Sequence, residues 1–264
     1  MITITIIGAG NLSKSILDGI ERSNLKCNIN IIDVDRKKRL IAKKYGASFN
    51  TICNEENLNS DFILLLSKPK DFKKVIKSIA PLINKKTIIL SFMAGITISQ
   101  IKENLSSKNN VIRCMTNLAI SSESNYVFYY TKSLSKIMLA RTKDFLSAFS
   151  HLKKCADEDQ IDKLTALYGS GPAYYVFYND IIRESFMNMG FNKKESILYT
   201  NSLISGSAKL IKNNSDTNSL LNSIASKGGT TEAALKYIKR NSIKLHIMKA
   251  LKEAYKRSKR ILNK

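Results

Sequence analysis

The chain has 264 residues and carries 43 Lys or Arg against 21 Asp or Glu, which gives a formal net charge of +22 at pH 7. This length allows one large domain or two modest ones, each with a buried core. The basic residues are scattered and form no Lys/Arg block or basic–aromatic repeat, so we favour solvated faces over a dedicated nucleic-acid site.

The cysteines and histidines form no metal-binding or dithiol pattern. No two of the four cysteines have CxxC spacing, and His151 and His246 lie far apart. We therefore expect no metal site and interpret the cysteines as small buried residues in a reducing compartment. The N-terminus lacks a signal-peptide pattern and no apolar stretch could span a bilayer, so we expect a cytoplasmic protein without membrane contact.

The first half of the chain alternates strand-like and helix-like segments. Apolar, β-branched or aromatic runs predict strands at 2–7, 28–32, 62–66, 87–90, 111–115 and 126–130. Helical spacing of apolar residues predicts helices at 11–23, 36–45, 71–83 and 98–105. Because strands that alternate with helices pair in parallel through right-handed crossovers, we expect an α/β, Rossmann-like, doubly wound sheet.

The second half changes character after about Asp159, where no convincing strand follows. Pro172 stands where a first helical position should be, and Asn192 with Glu195 predicts the start of a second helix. Further helices are expected up to residue 262. We therefore predict a dinucleotide-binding domain at 1–158 and an all-helical domain at 159–264, whose long apolar faces favour pairing between subunits.

The stretch ITIIGAGNLSKSI has the context of a dinucleotide fingerprint, since its glycines follow a predicted strand and open a predicted helix. Gly8 allows the tight turn, and Gly10 lets the backbone approach a pyrophosphate. The amides of Asn11 and Leu12 would face the phosphates at the positive helix end. Ser13 replaces the third glycine and is small enough for close helix–strand packing.

An acid follows the second predicted strand. Asp33 stands roughly 20 residues after the glycine loop, where a carboxylate usually binds the ribose hydroxyls of NAD. It would repel a 2′-phosphate, which the neighbouring Arg36, Lys37 and Lys38 could attract. We slightly favour NADH and leave use of NADPH open.

Three further strand ends fall at the edge of the sheet where this fold binds ligands. The residues just past them are Lys68, Pro69, Met93, Ala94, Gly95, Met115, Thr116 and Asn117. Pro69 and Gly95 are also ordinary turn residues, but three such ends in one sheet favour a site.

Five motifs, in order along nearly the whole chain, resemble the pyrroline-5-carboxylate reductase family. IGAGNL resembles its cofactor loop, SKP its V-K-P and SFMAGI its S-x-x-A-G-I. YGSGPAYYVFYNDIIRESFMNMGF matches its G-S-G-P-A-Y helix, and IASKGGTTEAALKYI its S-P-G-G-T-T segment. The last two motifs together are quite specific to this family.

The resemblance implies hydride transfer from NADPH or NADH to the cyclic imine 1-pyrroline-5-carboxylate, which gives L-proline. It places Thr231 at the catalytic site and implies a homodimer through the C-terminal helices, with a higher homo-oligomer left open. The substrate-binding residues that it implies are Ser226, Gly229, Thr230, Thr231, Met115, Asn117 and Ser170. The cofactor-binding residues that it implies are Ile7, Gly8, Ala9, Gly10, Asn11, Leu12, Asp33, Asn54, Leu66, Ser67, Lys68, Pro69, Met93, Ala94 and Gly95.

The turn before the predicted helix at Thr230 is the expected carboxylate site. Gly228 and Gly229 could take unusual φ values that turn consecutive N–H groups inward. The amides of Gly229, Thr230 and Thr231 would then bind a carboxylate at the positive helix end. Spacing alone favours plain capping by threonine, whereas the resemblance favours the carboxylate site.

The chain also departs from the family pattern. The family's R-x-M-P-N-T-P-A retains here Arg113, Met115 and Asn117, but neither proline. Lys227 replaces a proline before the two glycines, and Asn214 stands where an acid is often found. These differences keep two alternatives open: a reductase of another small imino or oxo acid, and a non-catalytic nucleotide-binding protein.

Overall fold

A computed structural model describes residues 1–105, 109–122 and 125–261 of the chain. The described strands form one sheet in the order β3-β2-β1-β4-β5-β6-β7-β8. Their bounds are β1 (Ile2–Ile7), β2 (Cys27–Ile32), β3 (Ser48–Asn50), β4 (Phe62–Leu65), β5 (Ile88–Ser91), β6 (Asn110–Met115), β7 (Tyr126–Tyr130) and β8 (His151–Lys154).

Helices connect the strands and make up the rest of the described chain. Those before β8 are α1 (Asn11–Arg22), α2 (Arg39–Lys44), α3 (Glu55–Leu58), α4 (Phe72–Ile79), α5 (Ile98–Glu103) and α6 (Lys136–Ser147). Those after it are α7 (Glu158–Leu164), α8 (Gly171–Asn188), α9 (Lys193–Asn213), α10 (Thr217–Ile224), α11 (Thr230–Arg240) and α12 (Ile243–Lys259). Residue 262, the predicted end of the last helix, lies outside the described residues.

The apolar strand runs pack on both faces of the sheet. Alternate residues of β4 enter two different apolar clusters, Phe62 and Leu64 in one and Ile63 and Leu65 in the other. All four side chains are buried, and each contributes about 1.5–3 kcal/mol of hydrophobic stabilisation. Burial on two faces explains why this strand is a continuous apolar run.

Pairing is parallel from β3 to β6, as the alternation of strands and helices predicts. The expectation of parallel pairing is wrong at β7, which runs antiparallel to β6 with Arg113 opposite Tyr130. The connection from 116 to 125 is shorter than the dozen or more residues that a parallel crossover needs. β8 then pairs in parallel with β7 after the helical crossover through α6.

The chain forms two compact units. The first comprises residues 1–170 and 254–264, and the second comprises residues 171–253. In the C-terminal part of the first unit, the structure describes residues 254–261. The sheet and its covering helices make the first unit a Rossmann-like doubly wound domain. The predicted domain boundary fell between residues 158 and 159, whereas these units divide after Ser170.

The second unit is helical in the described chain. Asn192 caps α9, because its side chain accepts from the Glu195 N–H at 3.0 Å while Glu195 accepts from the Asn192 N–H at 3.2 Å, as the spacing predicts. Many large apolar side chains are exposed on α8, among them Tyr175, Val176 and Phe177, each about two-thirds exposed. Such faces are typical of subunit interfaces. None of the helices in the described ranges combines the length and apolar character needed to cross a bilayer.

The last turns of α12 return to the first unit and pack on α7. The carboxylate of Asp159 pairs with Lys163 at 2.8 Å and with Lys259 at 2.7 Å, and it also accepts from the Tyr255 hydroxyl. These three partners, Lys163 first, hold the pKa of Asp159 well below its ordinary value. The buried Ser258 hydroxyl donates to the backbone carbonyl of Asp162 at 3.1 Å. The C-terminal segment is therefore an integral part of the sheet-containing unit.

Candidate functional site

The turn after β1 is built around Gly8. Its φ is +100°, and a Cβ atom there would lie 2.6 Å from the backbone nitrogen of Ser67 and 2.7 Å from its Cα. No side chain fits so close to a neighbouring backbone, and the left-handed conformation also favours glycine. Gly8 therefore brings the turn directly against the end of β4.

Gly10 has a different role, because a Cβ atom there would have no atom of the described residues within 4 Å apart from its two chain neighbours. It precedes α1 with an extended backbone and no side-chain cap. Within the described part of the chain, the N–H groups of Asn11, Leu12 and Ser13 donate to no protein acceptor. A helix start with open space and unpaired donors suits an anionic group.

Two side chains hold this turn in place. The Ser13 hydroxyl, buried at the third position of the motif, donates to the Gly8 carbonyl. Asp33 follows β2, and its carboxylate accepts from the Ala9 N–H at 2.7 Å and from the Asp35 N–H at 2.9 Å. Asp33 thus fixes the glycine turn as well as standing where a ribose is expected, a role that the sequence pattern does not reveal.

The end of β4 supplies a further sign of a ligand. The Ser67 hydroxyl oxygen is buried and has no hydrogen-bond partner among the described residues, although buried polar groups in proteins are usually paired. The unpaired Ser67 hydroxyl and the unpaired N–H groups that follow Gly10 fit the hydrogen-bonding groups of a bound dinucleotide. Lys68 is exposed and Pro69 begins a 3-10 turn that leads into α4.

Other predicted cofactor residues have structural explanations. Asn54 caps α3 through its hydrogen bonds with Asn57, and the side chain of Met93 is buried in an apolar cluster. Gly95 has a φ of +70°, and a Cβ atom there would lie 2.6 Å from the Ser258 carbonyl oxygen. The C-terminal segment thus covers Gly95, which explains why glycine is needed there.

A basic cleft of about 700 Å³ is lined by residues of α2, of the turn before it and of β3. Arg36, Lys37, Arg39 and Lys43 are among its lining residues. These cationic side chains, which would attract a phosphate, follow closely in the chain after Asp33, whose carboxylate would repel one.

A second group of predicted residues meets at the end of β6. The five residues before Ser170 form a turn of π-helix, a feature frequent at functional sites. The amide of Asn117 donates to the Tyr168 carbonyl at 3.0 Å, and a Cβ atom on Gly169 would lie 3.0 Å from the Met115 sulfur. The structure therefore brings Met115 and Asn117 against the turn that ends at Ser170.

The turn before α11, in the second unit, differs in part from the prediction. Gly228 has a positive φ of 76°, but its N–H donates to the Glu232 carboxylate at 2.7 Å. Gly229 has a φ of −81°, and its N–H donates to the Ser226 carbonyl at 3.0 Å. The expectation that the Gly229 amide is free is therefore wrong, because the turn itself uses this donor.

Two donors at this helix start do stay available. The N–H groups of Thr230 and Thr231 find no acceptor in the described ranges, and no threonine hydroxyl caps the helix. Thr230 is exposed and Thr231 half-buried. Plain capping, which spacing alone favoured, is not what these threonines do in the structure.

Sequence reasoning missed three features of these sites: the bond from Ala9 to Asp33, the cover of Gly95 by the C-terminal segment, and the side chains that hold the loop after β6. The first carried a signal, since an acid after β2 was identified. The cover of Gly95 joins residues far apart in the chain. The bonds around Asn117 join residues on either side of a loop whose path has no local pattern.

Comparisons with known proteins agree with this architecture. The protein-family model described as pyrroline-5-carboxylate reductase dimerisation matches residues 158–261. The family model described as NADP oxidoreductase coenzyme F420-dependent matches residues 3–95. A pyrroline-5-carboxylate reductase 1 of Bacillus spizizenii is 31% identical and covers 98% of this chain and 89% of its own. A pyrroline-5-carboxylate reductase of Aquifex aeolicus is 27% identical, with 98% of this chain and 97% of the relative covered.

Solved structures show the same fold. The pyrroline carboxylate reductase of Plasmodium falciparum with NADP bound superposes with a TM-score of 0.86 at 22% identity, over 98% of this chain and 97% of that one. The Coxiella burnetii pyrroline-5-carboxylate reductase gives 0.82 at 26% identity, with the same coverage. The likeness extends over both units, and the chain belongs to the pyrroline-5-carboxylate reductase family.

Proposed function

We propose that the chain catalyses the reduction of 1-pyrroline-5-carboxylate to L-proline with NADPH or NADH. The observation that carries this proposal is the match, over nearly the full length, to relatives that bear the name of this activity. The glycine turn at α1 and the open donors at α11 supply the two kinds of anion site that the reaction needs.

The residues of the first unit would hold the cofactor. The open N–H groups of Asn11 and Leu12 would bind the pyrophosphate at the positive end of α1, and Asp33 would accept from a ribose hydroxyl while it fixes the glycine turn. The remaining predicted contacts at residues 7–9, 54, 66–69 and 93–95 stay part of this proposal. When bound, NAD(P)H supplies the hydride that reduces a carbon–nitrogen double bond.

The substrate carboxylate would be bound at the start of α11. The N–H groups of Thr230 and Thr231 donate to it with the help of the helix dipole, and the Thr231 hydroxyl donates to the carboxylate or contacts the ring nitrogen. Ser226 and Gly229 shape the turn through their backbone hydrogen bond. Reduction would place the hydride on the imine carbon and a proton from solvent on the nitrogen, so the reaction needs no nucleophile from the chain.

The loop at the end of β6 would position the ring. Met115 supplies a soft apolar surface, and Asn117 is held by Tyr168 beside Ser170. Orientation of this kind is worth up to roughly 7–11 kcal/mol of the barrier in favourable cases. The assignment of Met115, Asn117 and Ser170 to the substrate is part of the same proposal.

The second unit would form a homodimer. Its exposed aromatic and aliphatic side chains on α8 and α9 need a partner surface, and the dimerisation model covers these helices. We propose that this pairing is the basic assembly and that a higher homo-oligomer builds on it. We also propose that the protein acts in the cytoplasm.

The activity is tested by adding the cyclic imine to the purified full chain with NADPH or NADH and following oxidation of the nicotinamide. Turnover with formation of proline is the expected result. A protein that binds the cofactor but turns over neither combination would reject the proposed function.

Changing Thr231 to valine is expected to raise KM for the imine by roughly ten- to hundred-fold, because a hydrogen bond to a charged group is worth about 1.5–3 kcal/mol. KM for the cofactor should stay within about two-fold, since the residues proposed to contact the cofactor lie on other elements. Steady-state kinetics with each substrate varied in turn provide the measurement. Thr231→Ser, which keeps the hydroxyl, is the matched control. An equal rise in the KM values for the imine and for the cofactor would contradict the assignment of Thr231 to the substrate.

Changing Asp33 to serine is expected to shift the ratio of kcat/KM for NADPH over NADH by roughly ten-fold towards NADPH. The substitution removes a carboxylate that repels a 2′-phosphate and leaves the basic side chains of Arg36 and Lys37 in place. The substitution also loosens the turn at Ala9, but this affects NADPH and NADH equally and therefore cancels in the ratio. Asp35→Ser removes an equal charge from an exposed cap of the next turn, and a similar shift with this control would contradict the role given to Asp33.

A further inference from the structure

The loop from Met115 to Ile120 lacks both prolines of the related family motif. Thr116 and Ala119 stand in their places. Proline restricts a loop by fixing φ, so this chain must hold Met115 and Asn117 in another way if they are to position a ring.

Thr116 is nearly fully buried, and its hydroxyl is held by the start of β7. The oxygen lies 3.0 Å from Oδ1 of Asn125 and 2.9 Å from the Tyr126 carbonyl oxygen. Its single proton is shared between these two acceptors. The loop after β6 is thus fastened to the neighbouring antiparallel strand at its first residue.

Asn125 continues the connection to Asn117. The Asn125 side-chain amide donates to Oδ1 of Asn117 at 3.0 Å, and the Asn117 amide donates to the Tyr168 carbonyl at 3.0 Å. The side chains of Asn117 and Asn125 are both buried. Three polar side chains therefore form one continuous path from β7 to the π-helical turn.

Ala119, which stands in place of the second proline, makes a hydrogen bond of its own. The Ala119 N–H donates to Oδ1 of Asn117 at 2.9 Å, a bond that proline could not make because it has no N–H. Oδ1 of Asn117 thus accepts from Asn125 and from Ala119 at once. Buried networks of this kind fix a unique conformation when every member is paired.

We propose that Thr116 and Asn125 are positioning residues that hold Met115 and Asn117 in the reactive geometry, in place of the two prolines. This inference rests on the proposed function, since it takes Met115 and Asn117 to contact the substrate. Thr116 and Asn125 act through Asn117 and touch neither substrate nor cofactor.

The test compares Thr116→Val, which keeps the shape but removes the hydroxyl, with Thr116→Ser, which keeps the hydroxyl. We expect kcat/KM for the imine to fall about ten-fold in T116V and to stay near the wild-type value in T116S. KM for the cofactor should stay within about two-fold in both. Asn125→Ala should reproduce the loss seen in T116V.

A matched control removes the same kind of bond elsewhere. Thr142 is equally buried, and its hydroxyl donates to the Met138 carbonyl at 2.8 Å within α6. Thr142→Val should change the melting temperature about as much as T116V but leave kcat/KM unchanged. Equal losses of activity in T116V and T142V would mean that destabilisation alone explains the effect, and would overturn the proposal.

Hydrogen exchange of the free enzyme gives a readout that does not depend on activity. The amides of Ala119 and Ile120 should exchange faster in T116V and N125A than in wild type, while those of α1 should not change. If the two variants exchanged faster but the wild type did not reduce the imine, the proposed function would be rejected, while the dependence of the loop on Thr116 would stand. Unchanged exchange, or unchanged kcat/KM in an active enzyme, would overturn the inference.

Discussion

Replacing Arg113 with methionine is expected to lower the free energy of unfolding by about 3–5 kcal/mol, because it leaves a buried carboxylate without its partner. The Arg113 side chain is fully buried, pairs with Asp162 and reaches Glu158 at 3.5 Å. Glu158 in turn accepts from the Ile98 N–H at 2.9 Å. Denaturant unfolding of the full chain measures the loss.

Two further variants separate the ion pair from general damage to the core. Arg113→Met combined with Asp162→Asn should lose less stability than the sum of the single changes, because the second substitution removes the stranded charge. Arg141→Met breaks a surface pair with Asp61 whose arginine is about half exposed, and should cost no more than about 1 kcal/mol. Additive losses at Arg113 and Asp162 would contradict the proposed coupling.

Replacing Gly10 with alanine is expected to raise KM for NADPH and NADH by roughly a hundred-fold, because a methyl group would displace the phosphates from their donors. The fold accommodates the methyl, since within the described ranges only the two chain neighbours of Gly10 can lie within 4 Å of that position. The free energy of unfolding should therefore change by less than about 1 kcal/mol. Cofactor titration and thermal melting provide the two measurements.

Gly8→Ala serves as the contrasting variant. Its methyl would meet the backbone of Ser67 in a left-handed conformation, so both stability and cofactor binding should be lost. If Gly10→Ala kept its affinity for both cofactors, the start of α1 would not be the pyrophosphate site.

β1, β2, β4, β5 and β6 could be predicted because each has a run of apolar or β-branched residues and is flanked by segments with helical spacing. β3, α3, α6, β8 and α7 were not predicted. β3 has three residues, and β8 (HLKK) has only one apolar residue and lies mostly exposed at the sheet edge. The orientation of β7 was mistaken because periodicity shows that a strand exists, whereas its direction depends on the length of the connection.

The candidate site was predictable where its chemistry is local. The glycine turn and the start of α11 each depend on residues within one short stretch. The occupied amide of Gly229 was missed because a tight turn can satisfy its own donors, which composition does not show. The bond from Asp33 to Ala9 and the path through Asn125 depend on tertiary packing, so only the fold reveals them.

Ser258 and Ile261 cover Gly95, and this contact has a consequence for folding during translation. Domains generally fold as units during synthesis, with the N-terminal part first. Here the ribosome completes the sheet long before it reaches the residues that close this loop. The first unit therefore cannot reach its final packing until translation has passed Ile261, and the nascent sheet displays an open surface at Gly95 until then.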